Sequence, residues 1–392
     1  MIFSSGILDR PKFQASLTAA ILMQGLAAPF VFAQRNFAAN INLLAGASCT
    51  ITRWSAKNDS GEKFVISQIA VPLRFDFELN ERVGLSLKTI AASSALEARH
   101  NAGQRLTLAG FSDLKVESIV LLGNEGWLLK GGLNVPFGKE SLSARELVVA
   151  NAIAEDALAF PLGLYGAAFE AHAGILRAWH VGKLAMSGGV SYFFRDSFDY
   201  LEDVGAVKLD PGDEFAATVG MDLDVAHGKT SLDAHLIHRG SERLNSTTIV
   251  DAGSLLLMEA STFLKRYPLK ASFWLRNYWN FGQGLRSAVA QNPALRSDSN
   301  RNPYQLELGG TLDHHLAPLT LQYGFDLRRF SPNEAGNEDA LVWGGGAAVQ
   351  FTPMEALAVR CALKYYTGAL KSNGATFDLT GTQLSLGIFG AF

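Results

Sequence analysis

Long runs of alternating apolar and polar residues are the feature that most limits how this chain can fold. Across 215–225 every second residue is apolar, and Thr218, Asp222 and Asp224 lie between the apolar positions. Such alternation gives a β-strand one face for apolar surroundings and one for a polar environment. Similar runs occupy 69–79, 304–313, 319–328 and 357–366. These runs reach about ten residues, which is the length that a tilted strand needs to cross a bilayer. Ordinary strands average about five or six residues.

The composition agrees with a membrane-embedded β protein. The chain has 392 residues, which suits one large barrel or two to three soluble domains. Its hydrophobic fraction is 48% and its charged fraction 18%, against about 25% charged in a typical soluble domain. A net charge of −3 gives no indication of a nucleic-acid partner. After residue 34 no apolar run of about 18 residues occurs, so a chain in a membrane would have to cross it as strands.

The first 33 residues are predicted to be a signal peptide, which leaves 34–392 as the folded barrel. Arg10 and Lys12 form a basic flank, and an apolar stretch follows from 15 to 28. Val31, Phe32 and Ala33 fit a cleavage site with small residues. The alternative is a membrane-spanning anchor, for which the uncharged run is short.

The alternating segments predict an all-β fold, an antiparallel transmembrane β-barrel of about sixteen strands. The predicted strands are 41–55, 63–79, 83–93, 112–123, 126–136, 166–179, 183–195, 213–226, 229–240, 247–265, 269–280, 303–313, 318–329, 339–352, 356–367 and 377–392. Tight turns alternate with longer polar segments along the chain, as periplasmic turns and extracellular loops do in bacterial barrels. Fourteen strands is the alternative, and a plug formed by 35–50 would favour twelve or fourteen.

The chain ends in a strand with one apolar face, formed by Leu384, Leu386 and Ile388, and its last residue is Phe392. Gly390 stands where an apolar residue is usual. In this ending the sequence resembles bacterial outer-membrane β-barrels, whose closing strand ends in Phe or Trp and is read by the assembly machinery. The resemblance implies a location in the outer membrane, surrounded by lipid, with the barrel-assembly machinery as a partner through Phe392.

Two glycine-containing segments carry a second resemblance. Residues 110–114 read Gly-Phe-Ser-Asp-Leu, and 132–139 read Gly-Leu-Asn-Val-Pro-Phe-Gly-Lys. They resemble paired motifs of the outer-membrane channels related to the long-chain fatty acid and aromatic-hydrocarbon transporters, including the phenol meta-pathway group. The resemblance implies passive uptake of small hydrophobic or amphipathic molecules, without identifying the solute.

The polar faces of the predicted strands carry charges of both signs. Such charges cost about 2–4 kcal/mol each at the bilayer midplane, so they must face the barrel interior. A sixteen-strand barrel is too wide for side chains to fill, which favours a polar pathway over a closed, ion-paired interior. The candidate pathway residues are Arg74, Asp76, Glu78, Asp222, Asp224, Asp233, Arg276, Glu307, Asp326, Arg328, Arg360 and Lys364.

The longest predicted loop, 138–165, is a candidate constriction. Its middle is rich in Ala, Leu, Val and Glu, which favours a short helix. Long loops of this kind often fold over or into a lumen, where Leu147, Val149, Leu158 and Phe160 would line the entrance. An exposed loop with a helical turn is the alternative.

No motif for catalysis or metal binding supports another function class. The sequence has no Gly-x-Ser-x-Gly element and no Cys or His cluster with metal spacing, so we predict neither enzyme activity nor a cofactor. A disulfide between Cys49 and Cys361 is left open. The competing functions are a general polar porin and a non-transporting adhesive or structural barrel.

Aromatic girdles, the bands of aromatic side chains near the two ends of membrane-spanning strands, are predicted at Trp54, Trp127, Trp179, Tyr267, Trp279, Tyr304, Trp343 and Tyr365.

Overall fold

The protein folds into a closed antiparallel β-barrel of sixteen strands. The computed structural model describes residues 42–98, 105–123, 126–139, 141–202, 207–282, 302–332, 337–354, 356–372 and 374–391. Its main sheet contains 17 hydrogen-bonded segments, of which two are halves of one interrupted strand, so the barrel has sixteen strands. The predicted signal peptide and Phe392 lie outside the described residues, and both assignments stay predictions.

The barrel strands are numbered here in chain order. They are β1 (Asn42–Asn58), β2 (Lys63–Asn80), β3 (Val83–Ala98), β4 (Arg105–Phe111 and Leu114–Leu122), β5 (Trp127–Val135), β6 (Glu170–Val181), β7 (Leu184–Arg195), β8 (Glu214–Val225), β9 (Gly228–Arg239), β10 (Gly253–Arg266), β11 (Leu269–Phe281), β12 (Tyr304–Leu316), β13 (Leu319–Phe330), β14 (Asn337–Met354), β15 (Leu357–Ser372) and β16 (Ala375–Ala391).

Each strand pairs with the next, and the first pairs with the last. The pairing of β1 with β16 runs from Leu44 opposite Ala391 to Asn58 opposite Phe377. Closure pairs the first strand with the last, which removes the open edge that a sheet cannot keep in an environment without water. The prediction of a sixteen-strand barrel is therefore confirmed, and strands form at each of the sixteen predicted places.

The fourth strand differs from its predicted form. We predicted it at 112–123, but it begins at Arg105 and is interrupted at Ser112 and Asp113. The strand β3 spans the interruption, because its residues 91–97 pair with the first half of β4 and 83–88 with the second. The interruption frees the side chain of Asp113 for other contacts, described below.

Outside the barrel wall, the described residues form few regular elements. One α-helix, α1 (Ala144–Ile153), and a 3₁₀-helix (Asp156–Leu158) lie in the connection between β5 and β6. Four short strands, 198–201, 207–210, 242–244 and 247–250, form a small separate sheet in the two loops that follow. No helix in the described part of the chain is long and apolar enough to span a membrane.

The outward face of the barrel is apolar. Large exposed side chains alternate with less exposed ones along most strands; examples are Val219 at 61%, Leu363 at 57% and Ile388 at 55% exposure. Cys49 and Cys361 belong to this face as free thiols. Both stand opposite Leu386, one on each side of β16, so a whole strand separates them.

Several predicted girdle aromatics lie on the outer face, but Trp54 does not. Trp179, Tyr267, Trp343 and Tyr365 are exposed, whereas Trp54 is 1% exposed. Its ring stacks on Tyr366 with centroids 5.3 Å apart, inside the barrel. The girdle assignment of Trp54 is therefore wrong, because its position in the alternation of β1 places it on the inner face.

Candidate functional site: the barrel interior

The connection between β5 and β6 folds into the barrel instead of extending into solvent. Its residues Leu142, Val149, Ala150, Ile153, Ala157, Leu158, Leu162 and Tyr165 share one buried cluster with Trp54, Ile66, Ala70, Ala92, Leu108, Phe330, Ala340, Val342, Tyr366 and Leu379. The wall residues of this cluster come from β1–β4 and from β13–β16. These wall side chains lie on the inner faces of their strands; Val342, for example, is 0% exposed between Leu341 at 44% and Trp343 at 54%. The segment that packs on them therefore lies inside the barrel, and we name residues 136–139 and 141–169 the inner loop.

The inner loop is held at both ends by Asp113. The carboxylate of Asp113 accepts hydrogen bonds from the backbone N–H groups of Phe137 (3.3 Å), Gly138 (3.1 Å) and Ala167 (2.8 Å). The side-chain amide of Asn134 donates a fourth bond, at 3.1 Å. Asp113 and Gly138 belong to the two segments that carried the family resemblance, so these segments meet where the inner loop leaves the wall.

A second group of polar contacts fixes the inner loop near its C-terminal end, at Leu162 and Tyr165. Gln68, which is fully buried, donates to the backbone oxygen of Leu162 at 2.7 Å and accepts from its N–H at 3.0 Å. The hydroxyl of Tyr165 donates to the Leu108 oxygen at 3.1 Å and lies 2.8 Å from the Ser94 hydroxyl. Burial raises the pKa of the Tyr165 phenol, so this hydroxyl keeps its proton. Two hydrogen bonds between the Gln68 side chain and the backbone N–H and C=O of Leu162 fix the depth of the loop.

The helix α1 forms where the sequence predicted one, and its start is well capped. Ser143 and Glu146 make a reciprocal capping box, in which each side chain bonds the backbone N–H of the other residue. Lys139 donates to the Glu146 carboxylate from the preceding turn. Partial burial opposes ionisation of Glu146, but the hydrogen bonds from Lys139 and Ser143 outweigh it and lower its pKa.

The four predicted constriction residues lie on the inner loop in different environments. Val149 and Leu158 are 0% and 5% exposed, because they pack against the wall. Leu147 and Phe160 are only partly buried at the edge of this packing. Leu147 also contacts the small sheet through a second cluster that contains Phe198, Leu209 and Ile249. Of the four, Leu147 and Phe160 keep surface that a solute could meet, and the constriction itself stays a prediction.

A row of charged residues crosses the wall from β9 to β13. Cross-strand pairing places Asp233 opposite Glu259, Glu259 opposite Arg276, Arg276 opposite Glu307 and Glu307 opposite Arg328. Arg276 binds Glu259 at 2.8 Å and lies 3.9 Å from Glu307. The guanidinium of Arg328 lies 3.6 Å from Asp326 and 5.4 Å from the centre of the Tyr366 ring. We name Asp233, Glu259, Arg276, Glu307 and Arg328 the charged row.

A second ionic group lies near the loop ends of β6–β9. Arg195 contacts Glu170 at 3.2 Å and Glu214 at 3.0 Å, and Arg239 contacts Glu214 at 3.0 Å. These four residues alternate in sign around the wall. Opposite charges directly across neighbouring strands stabilise a sheet and keep a polar interior satisfied.

Between the two ionic groups, the inner faces of β6–β8 carry small side chains. Gly174, Ser191 and Ala216 follow one another in a cross-strand row, and in the neighbouring row the larger Leu176 precedes Gly189 and Thr218. In the described structure, none of the wall residues packed in the inner-loop cluster comes from β5–β12. The loop therefore packs on one side of the barrel, and small, ionic and some apolar side chains, such as Leu176 and Leu255, border the other side.

The remaining predicted pathway residues are of three kinds: some form ion pairs, Arg360 bonds an amide side chain, and others are exposed. Arg74 and Asp76 form an ion pair at 2.6 Å on β2, and Asp222 is paired with Lys229 at 2.5 Å. Lys364 contacts Asp326 at 3.4 Å, while Arg360 donates to Gln322 at 2.5 Å. Glu78 and Asp224 are exposed near the tight turns, at the end of the barrel opposite the long loops. The structure thus brings Asp233, Arg276, Glu307 and Arg328 into one row and leaves Arg74 and Asp76 apart. Whether any of them meets a passing solute stays a prediction.

Sequence reasoning did not single out several residues that organise the interior. Glu259 follows a nearly continuous apolar stretch of β10, so the strand shows no clear alternation of polar and apolar residues there. The available signal was its odd-numbered position, which puts Glu259 on the inner face of β10. Asp113 was part of a motif but had no assigned role. Gln68 and Tyr165 contact partners 94 and 57 residues away in sequence, and no local pattern indicates such contacts.

Comparison with solved structures finds barrels of outer-membrane channels from Pseudomonas aeruginosa. OpdK with vanillate is 11% identical, with a TM-score of 0.42, covering 89% of this chain and 99% of that one. OpdL is 11% identical, with a TM-score of 0.45 and coverages of 90% and 99%. OccK2 (OpdF) in complex with glucuronate is 11% identical, with a TM-score of 0.43 and coverages of 88% and 97%.

These similarities are too weak to assign a function or a family. No protein-family model matches the chain, and neither does any curated protein. The narrower family assignment from the motifs is therefore not established.

Proposed function

We propose that the protein is an outer-membrane channel through which small amphipathic molecules diffuse passively. One observation carries this proposal: the inner loop packs on one side of a closed sixteen-strand barrel, and small, ionic and some apolar side chains border the other. A barrel of this width is not filled by its wall side chains alone. The remaining interior suits a solute that has both an apolar part and an ionic group.

The outer surface supports a location in lipid. The exposed positions of the strands carry mainly Leu, Val, Ile, Phe and Tyr, while ionic side chains are paired on the inner face. The chain would reach the outer membrane through a cleaved signal peptide at 1–33 and be assembled through its C-terminal strand. On this proposal it catalyses no reaction and needs no cofactor, and its oligomeric state is left open.

The charged row also favours a second candidate, a general porin for polar solutes and ions. The two functions differ in what passes. Purified protein reconstituted in planar bilayers and in liposomes tests both. An amphipathic-solute channel gives liposome swelling with small amphipathic molecules and low ion conductance, whereas a general porin gives conductance on the nanosiemens scale. Absence of both activities would leave a non-transporting barrel and refute the proposal.

A further inference from the structure

An acidic site on the inner face of β8–β10 has one carboxylate more than its neighbouring cations can balance. It consists of Asp222, Asp233 and Glu259. Lys229 pairs with Asp222 at 2.5 Å, and Arg276 pairs with Glu259 at 2.8 Å. No hydrogen bond or ion pair to Asp233 is present among the described residues, although it is only 5% exposed.

The wall is shaped to hold this unpaired carboxylate. Asp233 stands directly between Gly220 on β8 and Glu259 on β10. A Cβ atom at position 220 would lie 2.5 Å from the Asp233 Oδ1 atom, so the carboxylate lies over Gly220 and a larger residue there would displace it. Two carboxylates directly opposite each other on neighbouring strands repel, and a buried charge without a partner is costly. A positive charge from outside the chain would relieve both costs.

The surroundings of the site indicate what kind of cation fits. The cations already present there are an ammonium and a guanidinium, and one further positive charge balances the group. Towards the loop end of the barrel, Ile237 is two strand positions beyond His235 on the Asp233 face of β9, and Leu255 stands opposite Ile237 on β10. Leu257, opposite His235, completes an apolar patch directly beyond the carboxylates.

We propose that Asp222, Asp233 and Glu259 bind the ammonium group of a small amphipathic amine, whose apolar part rests on Ile237, Leu255 and Leu257. This inference rests on the proposed channel function and narrows its solute to cationic amphiphiles. Asp233 is the residue that provides the free charge. Asp222 and Glu259 add to the negative potential while they keep their own partners.

The test measures direct binding of n-butylammonium to the folded full-length protein in detergent. Ligand-observed NMR monitors this binding. We expect saturable binding to the wild type and at least tenfold weaker binding to Asp233→Asn. The control, Glu97→Gln, removes an exposed carboxylate on β3 that is paired with Arg105 on β4 and should change the affinity less than twofold. Butyrate, of the same length and opposite charge, should bind at least tenfold more weakly than n-butylammonium.

Equal affinity of wild type and Asp233→Asn, or no saturable binding to the wild type, would overturn the inference. Asp233→Ser gives the same readout if the asparagine variant does not fold. Conductance measured on the same preparations separates this inference from the channel function. Amine binding without any transport would refute the channel and support the site, whereas transport without amine binding would refute the site alone.

Discussion

At the residue scale, the two faces of a strand should differ sharply in their tolerance of a charge. Val219 is 61% exposed in the middle of β8, whereas its neighbour Thr218 faces inward and lies 2.9 Å from the His235 ring nitrogen. We expect Val219→Arg to cost about 2–4 kcal/mol, because the charge is placed in hydrocarbon. Thr218→Arg should cost about 1 kcal/mol through the lost hydrogen bond.

Urea unfolding in lipid vesicles measures both free energies. If the two variants unfold at the same urea concentration, the assignment of faces on β8 is wrong.

A second residue-scale prediction concerns two glycines whose surroundings differ. A Cβ atom at Gly138 would lie 2.0 Å from the Tyr165 backbone oxygen and 2.6 Å from that of Phe111. At Gly131 the nearest atom would be 3.6 Å away. Gly138→Ala should therefore destabilise the barrel by about 1–3 kcal/mol, because backbone must move, and Gly131→Ala should be nearly neutral. Urea midpoints of the two variants check this, and a neutral Gly138→Ala would contradict the close packing where the inner loop starts.

At the element scale, Asp113 should control whether the inner loop stays in the barrel. Its carboxylate accepts three backbone hydrogen bonds from the two ends of the loop. Hydrogen bonds to charged groups contribute about 1.5–3 kcal/mol each, so Asp113→Ala should release the loop without opening the barrel. We expect larger, noisier single-channel currents and faster tryptic cleavage after Lys139 and Arg145. Glu97→Ala, which breaks the exposed ion pair between Glu97 on β3 and Arg105 on β4, is the control and should leave both measurements unchanged.

The strands could be predicted from the sequence, whereas the path of the inner loop could not. Period-two alternation depends on neighbouring residues, so it locates strands such as β8 from a short window. The alternation gives no signal where both faces of a strand are apolar, as before Glu259 on β10. It also misleads where an aromatic residue packs inside the barrel, as Trp54 does. The helix α1 was predictable from composition. Its position in the barrel depends on Gln68 and Asp113, whose contacts with the loop join distant parts of the chain.

At the scale of the whole molecule, closure between the first and last strands can be tested with the native thiols. Cys49 on β1 and Leu386 on β16 are directly opposed, and both side chains are exposed on the outer face. Opposed residues on antiparallel strands have Cβ atoms about 4.5–5.5 Å apart, which a small shift brings within disulfide range. Oxidising a Leu386→Cys variant that also carries Cys361→Ser should therefore join β1 to β16 and make the chain a covalent ring.

The ring should be visible on a gel because a circular chain cannot extend fully when it is denatured. We expect the double variant, boiled without reducing agent, to migrate differently from the same sample after reduction. The wild type should show no such difference. The wild-type thiols, Cys49 and Cys361, are separated by β16 and cannot form a ring within one barrel. Without oxidation, both proteins should also shift on boiling, as folded barrels do. Position 386 lies next to Cys49 only when the first and last strands are paired. A double variant that shifts on boiling but forms no ring would therefore contradict closure, because the barrel would be folded while β1 and β16 are apart.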